Sequence, residues 1–196
     1  PDPTRELRYG TTASAHQVIA AYTPLLAADQ GKPSEQAKDY ANRAHGYRAK
    51  GQTELAFADA ARAIQLRPDD AFAYNIRGII QADKGLSDRA IADFSYAIYL
   101  KRDYADAWFN RGNRHRDAGD LDKAIADYSE AISRAPDYGD AFVNRGNAWR
   151  DKGQGDQAAA DYAKAIALNA NDPKAWFNRG KLHNSKRRYD SALIDL

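Results

Sequence analysis

Apolar and small residues along this chain recur with a helical period, and the recurrence is itself repeated at a longer interval. Ala44, Gly78, Gly112, Gly146 and Gly180 each lie 34 residues from the next, without insertion or deletion. Four residues before each of these anchors stands an aromatic: Tyr40, Tyr74, Trp108, Phe142 and Trp176. A spacing of four places ring and anchor on one helix face, and the missing side chain at the anchor lets a second helix approach closely. That second helix announces itself twelve residues later with Ala56, Ala90, Ala124, Ala158 and Ala192, followed four positions on by Phe94, Tyr128 or Tyr162 in the middle copies. Between the two helices Gly51, Gly85, Gly119 and Gly153 recur, where a left-handed residue would close the first helix. Each copy therefore predicts a helical hairpin. Pro68 and Pro136 mark the ends of second helices, and Asp172-Pro173 predicts an N-cap followed by proline at the first helical position.

The order of these signals, small residue, aromatic, glycine turn, alanine, aromatic, alanine and proline at a 34-residue period, resembles the tetratricopeptide repeat family over residues 37 to 196. The resemblance implies an all-α fold, a right-handed α-solenoid of antiparallel helix pairs, with copies at 37–70, 71–104, 105–138, 139–172 and a shorter one at 173–196. Residues 14–28 align with a second helix alone, Tyr22 standing where Phe94 stands, and are expected to cap the first repeat ahead of a Gly31-Lys32-Pro33-Ser34 linker that completes a 14–36 segment. Residues 1–13 carry two prolines and no apolar period and read as an extended or disordered lead-in.

Composition changes this picture little. In a repeat array the 196 residues count repeats rather than domains. With 29 basic and 27 acidic residues the net charge is +2, and no Lys/Arg tract points to nucleic acid or to a membrane surface. No apolar run is long enough to predict membrane insertion. Cysteine is absent, which excludes disulfides. Methionine is absent even at position 1, so the chain reads as a processed or engineered fragment, its last repeat cut within the second helix and its C-terminal edge expected to be disordered or to stack end to end on another molecule. The spellings FNRG, VNRG and IADFSYAI resemble bacterial tetratricopeptide proteins, several of them exported, so a periplasmic or exported location is expected over a cytoplasmic one.

Two features exceed the bare repeat pattern. An arginine precedes every anchor (Arg43, Arg77, Arg111, Arg145, Arg179), and an aspartate follows it by fifteen residues (Asp59, Asp93, Asp127, Asp161, Asp195). A matched acid at fixed spacing on the partner helix predicts structural ion pairs between helices rather than a basic stripe for anionic ligands. The second feature is asparagine two residues before the anchor, at Asn42, Asn110, Asn144 and Asn178, a series broken by Ile76. Asparagine is a mediocre helix former, so its recurrence inside helices needs a reason. In the family the first helices line the concave groove, and the resemblance implies that this offset faces it. An amide ladder can bond the main chain of an extended peptide whatever its side chains, similar to the asparagine ladder of O-linked N-acetylglucosamine transferases. The structural alternative is that each Asn bonds its own helix or a neighbouring hairpin.

The same geometry brings further residues to that face: Phe109, Val143 and Phe177; Asn113, Asn147 and Lys181; Arg48, Arg116 and Arg150. They suit a peptide with a few apolar anchors and some acidic groups, tempered by Asp106, Asp117, Asp140 and Asp151 nearby. Co-chaperones of this family clamp two carboxylates with lysine, arginine and asparagine. Asn113, Asn144 and Lys174 fall at three clamp offsets, but Phe109 replaces a clamp lysine and Asn178 the clamp arginine, which removes most of the charge-assisted bonds.

No HExxH, phosphate loop or serine elbow is present, His16, His45, His115 and His183 are scattered, and the aspartates follow the repeat period. The chain is therefore expected to be no enzyme, to need no cofactor or metal, and to scaffold a protein or peptide partner. A regulatory module of a larger enzyme and a self-assembling array are the alternatives.

Overall fold

The computed structural model describes residues 14–28 and 32–185, with side chains to Leu182. They fall in two compact units divided between Arg102 and Asp103. Among the described residues the first unit contains α1 (Ala15–Ala27), α2 (Pro33–Ala49), α3 (Thr53–Leu66), α4 (Ala71–Asp83) and α5 (Ser87–Leu100). The second contains α6 (Ala105–Asp117), α7 (Leu121–Arg134), α8 (Gly139–Asp151), α9 (Gly155–Leu168) and α10 (Pro173–Ser185). Every element is a helix, and successive helices pack as antiparallel pairs. Within the second unit α6 touches α8 and α8 touches α10, so the first helices of consecutive hairpins lie side by side, as α2 and α4 do in the first unit.

The hairpin turns follow from their glycines. Gly51, Gly85, Gly119 and Gly153 have φ of 71°, 75°, 81° and 77°, the left-handed region where a Cβ is penalised. Around Gly119 the amide of Gly119 donates to Arg116 O at 2.9 Å and that of Asp120 to His115 O at 2.9 Å. These two bonds form a Schellman motif, and the other three turns repeat it. Asp172 caps α10 by accepting from the Lys174 amide at 2.9 Å, and Pro68 and Pro136 follow the ends of α3 and α7 as expected.

The anchors have a sharper purpose than close helix approach in general. A Cβ built on Gly78, Gly112 or Gly146 would meet a ring carbon of Phe94, Tyr128 or Tyr162 at 2.7, 2.9 and 2.7 Å. The bare α-carbon is the seat of the aromatic from the second helix, and all three rings are essentially buried. The first hairpin has Ala44 at the anchor and Ala60 where the rings stand, both fully buried. A methyl at the anchor is matched there by a small partner.

The start of α2 departs from expectation. Pro33 and Ser34, read as linker, are its first residues, because proline suits the first turn, where its missing N–H has no intrahelical partner. α1 packs on α2, where Val18 and Ile19 come within 3.0 and 3.1 Å of a Cβ placed on Gly46, and Tyr22 is 1% exposed. The lead-in 1–13, the truncated last helix with Ala192 and Asp195, and the C-terminal edge lie outside the described residues.

Candidate functional site

The residues singled out by the repeat pattern divide into those that hold the hairpins together and those left on the face of the first helices. The recurring arginines belong to the first group. Arg43, Arg77, Arg111 and Arg145 each grip the aspartate of their own hairpin through Nε and Nη2, with distances from 2.7 to 2.9 Å. Asp59, Asp93, Asp127 and Asp161 are buried. The hydrogen bond to aspartate, ahead of the opposing desolvation, raises the Arg43 and Arg77 pKa values above the ordinary guanidinium value. The predicted ion pairs are thus present within hairpins; the Arg179–Asp195 pair lies outside the described residues. Each of these arginines, Arg179 included, also sits over the aromatic four residues before the anchor, from 4.7 Å at Trp176 to 5.6 Å at Phe142. Sequence reasoning missed that stacking, although a fixed i,i+3 spacing from ring to arginine signals it.

On the first-helix face of the second unit, Asn144 Nδ2 donates to Asn113 Oδ1 at 2.9 Å, joining α8 to α6. Asn113 Oδ1 also accepts from the Tyr128 hydroxyl at 2.8 Å. The next hairpin repeats the second bond, Tyr162 Oη donating to Asn147 Oδ1 at 2.8 Å, with Arg150 Nη1 adding a bond at 3.3 Å. Asn144 therefore meets the structural alternative in part, since one of its N–H groups is spent on a neighbouring hairpin. Asn110 and Asn178 are partly exposed on the same helices, and Asn42 is partly exposed on α2 of the first unit.

The apolar residues expected beside the amides fare differently. Val143 is 3% exposed and packs with Phe142, Ala165 and Ala175, so it offers no surface to a ligand. Phe109 is partly covered, its ring 4.9 Å from Tyr138 and 5.8 Å from Tyr128, while the Tyr138 hydroxyl donates to Asp106 at 2.9 Å. Phe177 alone of the three is broadly open, at 54% exposure, with Lys181 Nζ over its ring at 5.4 Å. Several cations of this face stand beside acids: Arg116 and Arg114 share Asp117 (3.5 and 3.0 Å), Arg150 is by Asp151 (2.9 Å), Lys174 by Asp140 (3.6 Å), and in the first unit Arg48 by Asp83 (2.6 Å). The acids reduce the field of these cations on a ligand without cancelling it, since Asp117 serves two arginines.

A search of family models matches the tetratricopeptide repeat over residues 95–139, 109–173 and 143–196, which together span more than half of the sequence. The chain belongs to the tetratricopeptide repeat family. No curated protein matches the sequence significantly. Among solved tetratricopeptide and related structures, PilF of Pseudomonas aeruginosa matches with a TM-score of 0.79 at 21% identity over 84% of this chain and 75% of that one. MamA from Desulfovibrio magneticus RS-1 matches with 0.72 at 20% over 82% and 90%. YrrB, described as a protein of this family with an unusual peptide-binding site, matches with 0.69 at 20% over 90% and 89%. At these identities the likeness is one of tetratricopeptide fold. Among the described residues no helix is long and apolar enough to cross a membrane, and no three metal-ligating side chains gather. His115 is partly buried, its pKa lowered chiefly by that burial, with Nε2 3.8 Å from Asp127; the His183 side chain is outside the described residues.

The tyrosines that seat on the glycine anchors carry a pH signature. Burial pushes Tyr128 and Tyr162 up to about 12, whereas an unfolded tyrosine ionises near pH ~10. The folded state keeps the proton longer, so the contribution present below pH ~10 is lost as pH rises towards ~12. The denaturation midpoint of the full chain is expected to fall across that interval, and the double variant Tyr128→Phe/Tyr162→Phe to flatten the fall. Denaturant titrations at successive pH values, followed by circular dichroism, check it; equal alkaline loss in both proteins would contradict the assignment.

Proposed function

We propose that this tetratricopeptide chain is an interaction scaffold that holds an extended segment of a partner protein along the first-helix face of its second unit, α6, α8 and α10. The observation that carries this reading is the bond between Asn144 and Asn113. It sets the two amide offsets of consecutive repeats side by side in one row on partly exposed helix surface. An amide pairs with a peptide unit donor to acceptor, so such a row reads a main chain without reading its sequence. Phe177 supplies an apolar contact at one end of the row. Because Arg116, Arg150 and Lys174 each have an acid close by, the ligand is held by neutral hydrogen bonding rather than by acidic groups. The description of YrrB as a peptide-binding member of the family agrees with this use of the fold.

The test is the triple variant Asn110→Ala/Asn144→Ala/Asn178→Ala. Each lost bond to a backbone group costs about 1 kcal/mol, so a partner recovered by pull-down should bind roughly a hundredfold more weakly in calorimetric titration. The folded state should lose the bond from Asn144 to Asn113 and the contact Asn110 makes within the fold, a modest loss beside that in binding. A variant that melts many degrees lower, and whose folded fraction binds normally, makes the asparagines structural and ends the proposal.

A further inference from the structure

Tyr128 and Tyr162 are 0% exposed, yet each retains a hydroxyl. A buried O–H without an acceptor is costly, and in both hairpins the acceptor is the oxygen of the asparagine just after the anchor, at 2.8 Å. The second hairpin of the chain makes the same packing without either group. Phe94 takes the place of the tyrosine against Gly78, and Ile79 takes the place of the asparagine. Hydroxyl and amide thus occur together or are missing together, although packing alone is satisfied by phenylalanine. The tyrosine oxygen is there for the amide.

Donation from tyrosine fixes which way that amide points. Asn113 Oδ1 is occupied by Tyr128 and by Asn144, and Asn147 Oδ1 by Tyr162 and Arg150. The uncommitted group of each amide is Nδ2. Among the described residues the buried side-chain nitrogens and oxygens without a partner are Arg67 Nε and Gln81 Oε1, so neither Nδ2 is sealed away from solvent. Turning an amide over would leave the tyrosine proton without its acceptor and set Asn113 Nδ2 against the donor of Asn144.

We infer that Tyr128 and Tyr162 are positioning residues that lock Asn113 and Asn147 with their N–H groups outward, so that this face takes an extended peptide through its main-chain carbonyls. The inference rests on the peptide-binding reading above and adds a polarity to it. Ligands are selected for accessible carbonyl oxygens, which an extended segment presents and a helix has already used. A carboxylate gains less on this face than the cations alone would give, since Arg150 stands beside Asp151 and Arg116 shares Asp117 with Arg114.

The test uses the full chain, isotope-labelled for NMR, with Tyr128→Phe, Tyr162→Phe and their double. Phe94 establishes that phenylalanine fits this seat, so backbone resonances should keep their helical positions. The side-chain amide resonances of Asn113 and Asn147 should move from distinct positions set by their hydrogen bonds towards those of solvent-exposed, rotamer-averaged asparagines. The ligand probe is the strongest binder from an array of short acetylated and amidated unstructured peptides. It should bind the double variant about tenfold more weakly, and Asn113→Asp, which keeps an acceptor for Tyr128 but has no donor, several-fold more weakly. Giving the probe a free C-terminal carboxylate should leave its affinity unchanged; a large gain would overturn the carbonyl assignment. Unchanged amide resonances and unchanged affinity in the phenylalanine variants would overturn the inference and leave the peptide reading standing. An array on which the parent chain binds nothing would overturn the peptide reading and the ligand class together.

Discussion

Replacement of Asp127 by alanine is expected to lower the stability of the chain by about 3–5 kcal/mol, because it strands a charge rather than because it deletes a strong bond. Asp127 is 4% exposed and accepts both Nε and Nη2 of Arg111. Arg111 in turn lies with its guanidinium 4.9 Å from the Trp108 ring, between the two helices of the hairpin. With the carboxylate gone, the guanidinium keeps its charge at any accessible pH and must recruit water into the joint or swing out and abandon the ring. The double variant Arg111→Leu/Asp127→Leu removes both charges, and replacing a whole buried pair by apolar groups is often neutral. It should therefore recover most of the loss, and Arg111→Lys, which lacks the two-pronged fork, should fall between. Denaturant midpoints of the three variants measure this. If Asp127→Ala and the double variant lose stability equally, the pair contributes direct bonding energy and a stranded charge is not the cause.

The hairpins, their turns and these ion pairs were legible from residue spacing because each depends on contacts within one repeat. A 34-residue period writes such contacts into the sequence once per copy: glycine at the left-handed turn, arginine and aspartate at matched offsets, a small anchor facing a ring. Contacts made by a single hairpin to the next were less legible. The offset of Val143 places it on the face of its helix near the amides, but Ala175 from α10 of the next hairpin joins Ala165 of its own hairpin in covering it. Phe109 shares that offset and is partly covered by Tyr138 from the following loop, whereas Phe177 remains open. A helical offset gives direction within one helix and says nothing of which neighbour arrives there. The two tyrosine–asparagine bonds were readable in principle from the paired replacement by Phe94 and Ile79, yet they escape any reading that treats the aromatic position as packing alone. They also bear on the proposed ligand: with the acceptor atoms of Asn113 and Asn147 committed inward, the proposal above is for a main chain read through its carbonyls.

Tyr162→Ala is expected to cost about 3–5 kcal/mol, the usual range for emptying a buried aromatic site, and most of that cost should depend on what stands opposite. The ring is fully buried in the α8–α9 pair, its Cε1 only 2.7 Å from where a Gly146 Cβ would be, and its hydroxyl is tied to Asn147. Gly146→Ala by itself gains helix propensity of just under ~1 kcal/mol but drives a methyl into a ring that cannot step aside. Overpacking of this kind costs about 1–3 kcal/mol, so the single variant should be destabilised on balance. In Gly146→Ala/Tyr162→Ala the clash vanishes, the propensity gain remains and the methyl fills part of the cavity, which reproduces the Ala44 and Ala60 pairing of the first hairpin. The double variant should therefore be more stable than Tyr162→Ala alone, with a coupling in the double-mutant cycle of at least ~1 kcal/mol. Denaturation of all four proteins under one condition supplies the cycle. Additive losses would mean that glycine at the anchor is kept for some reason other than seating the ring, and the explanation of the 34-residue signature as a ring-on-glycine contact would fail with it.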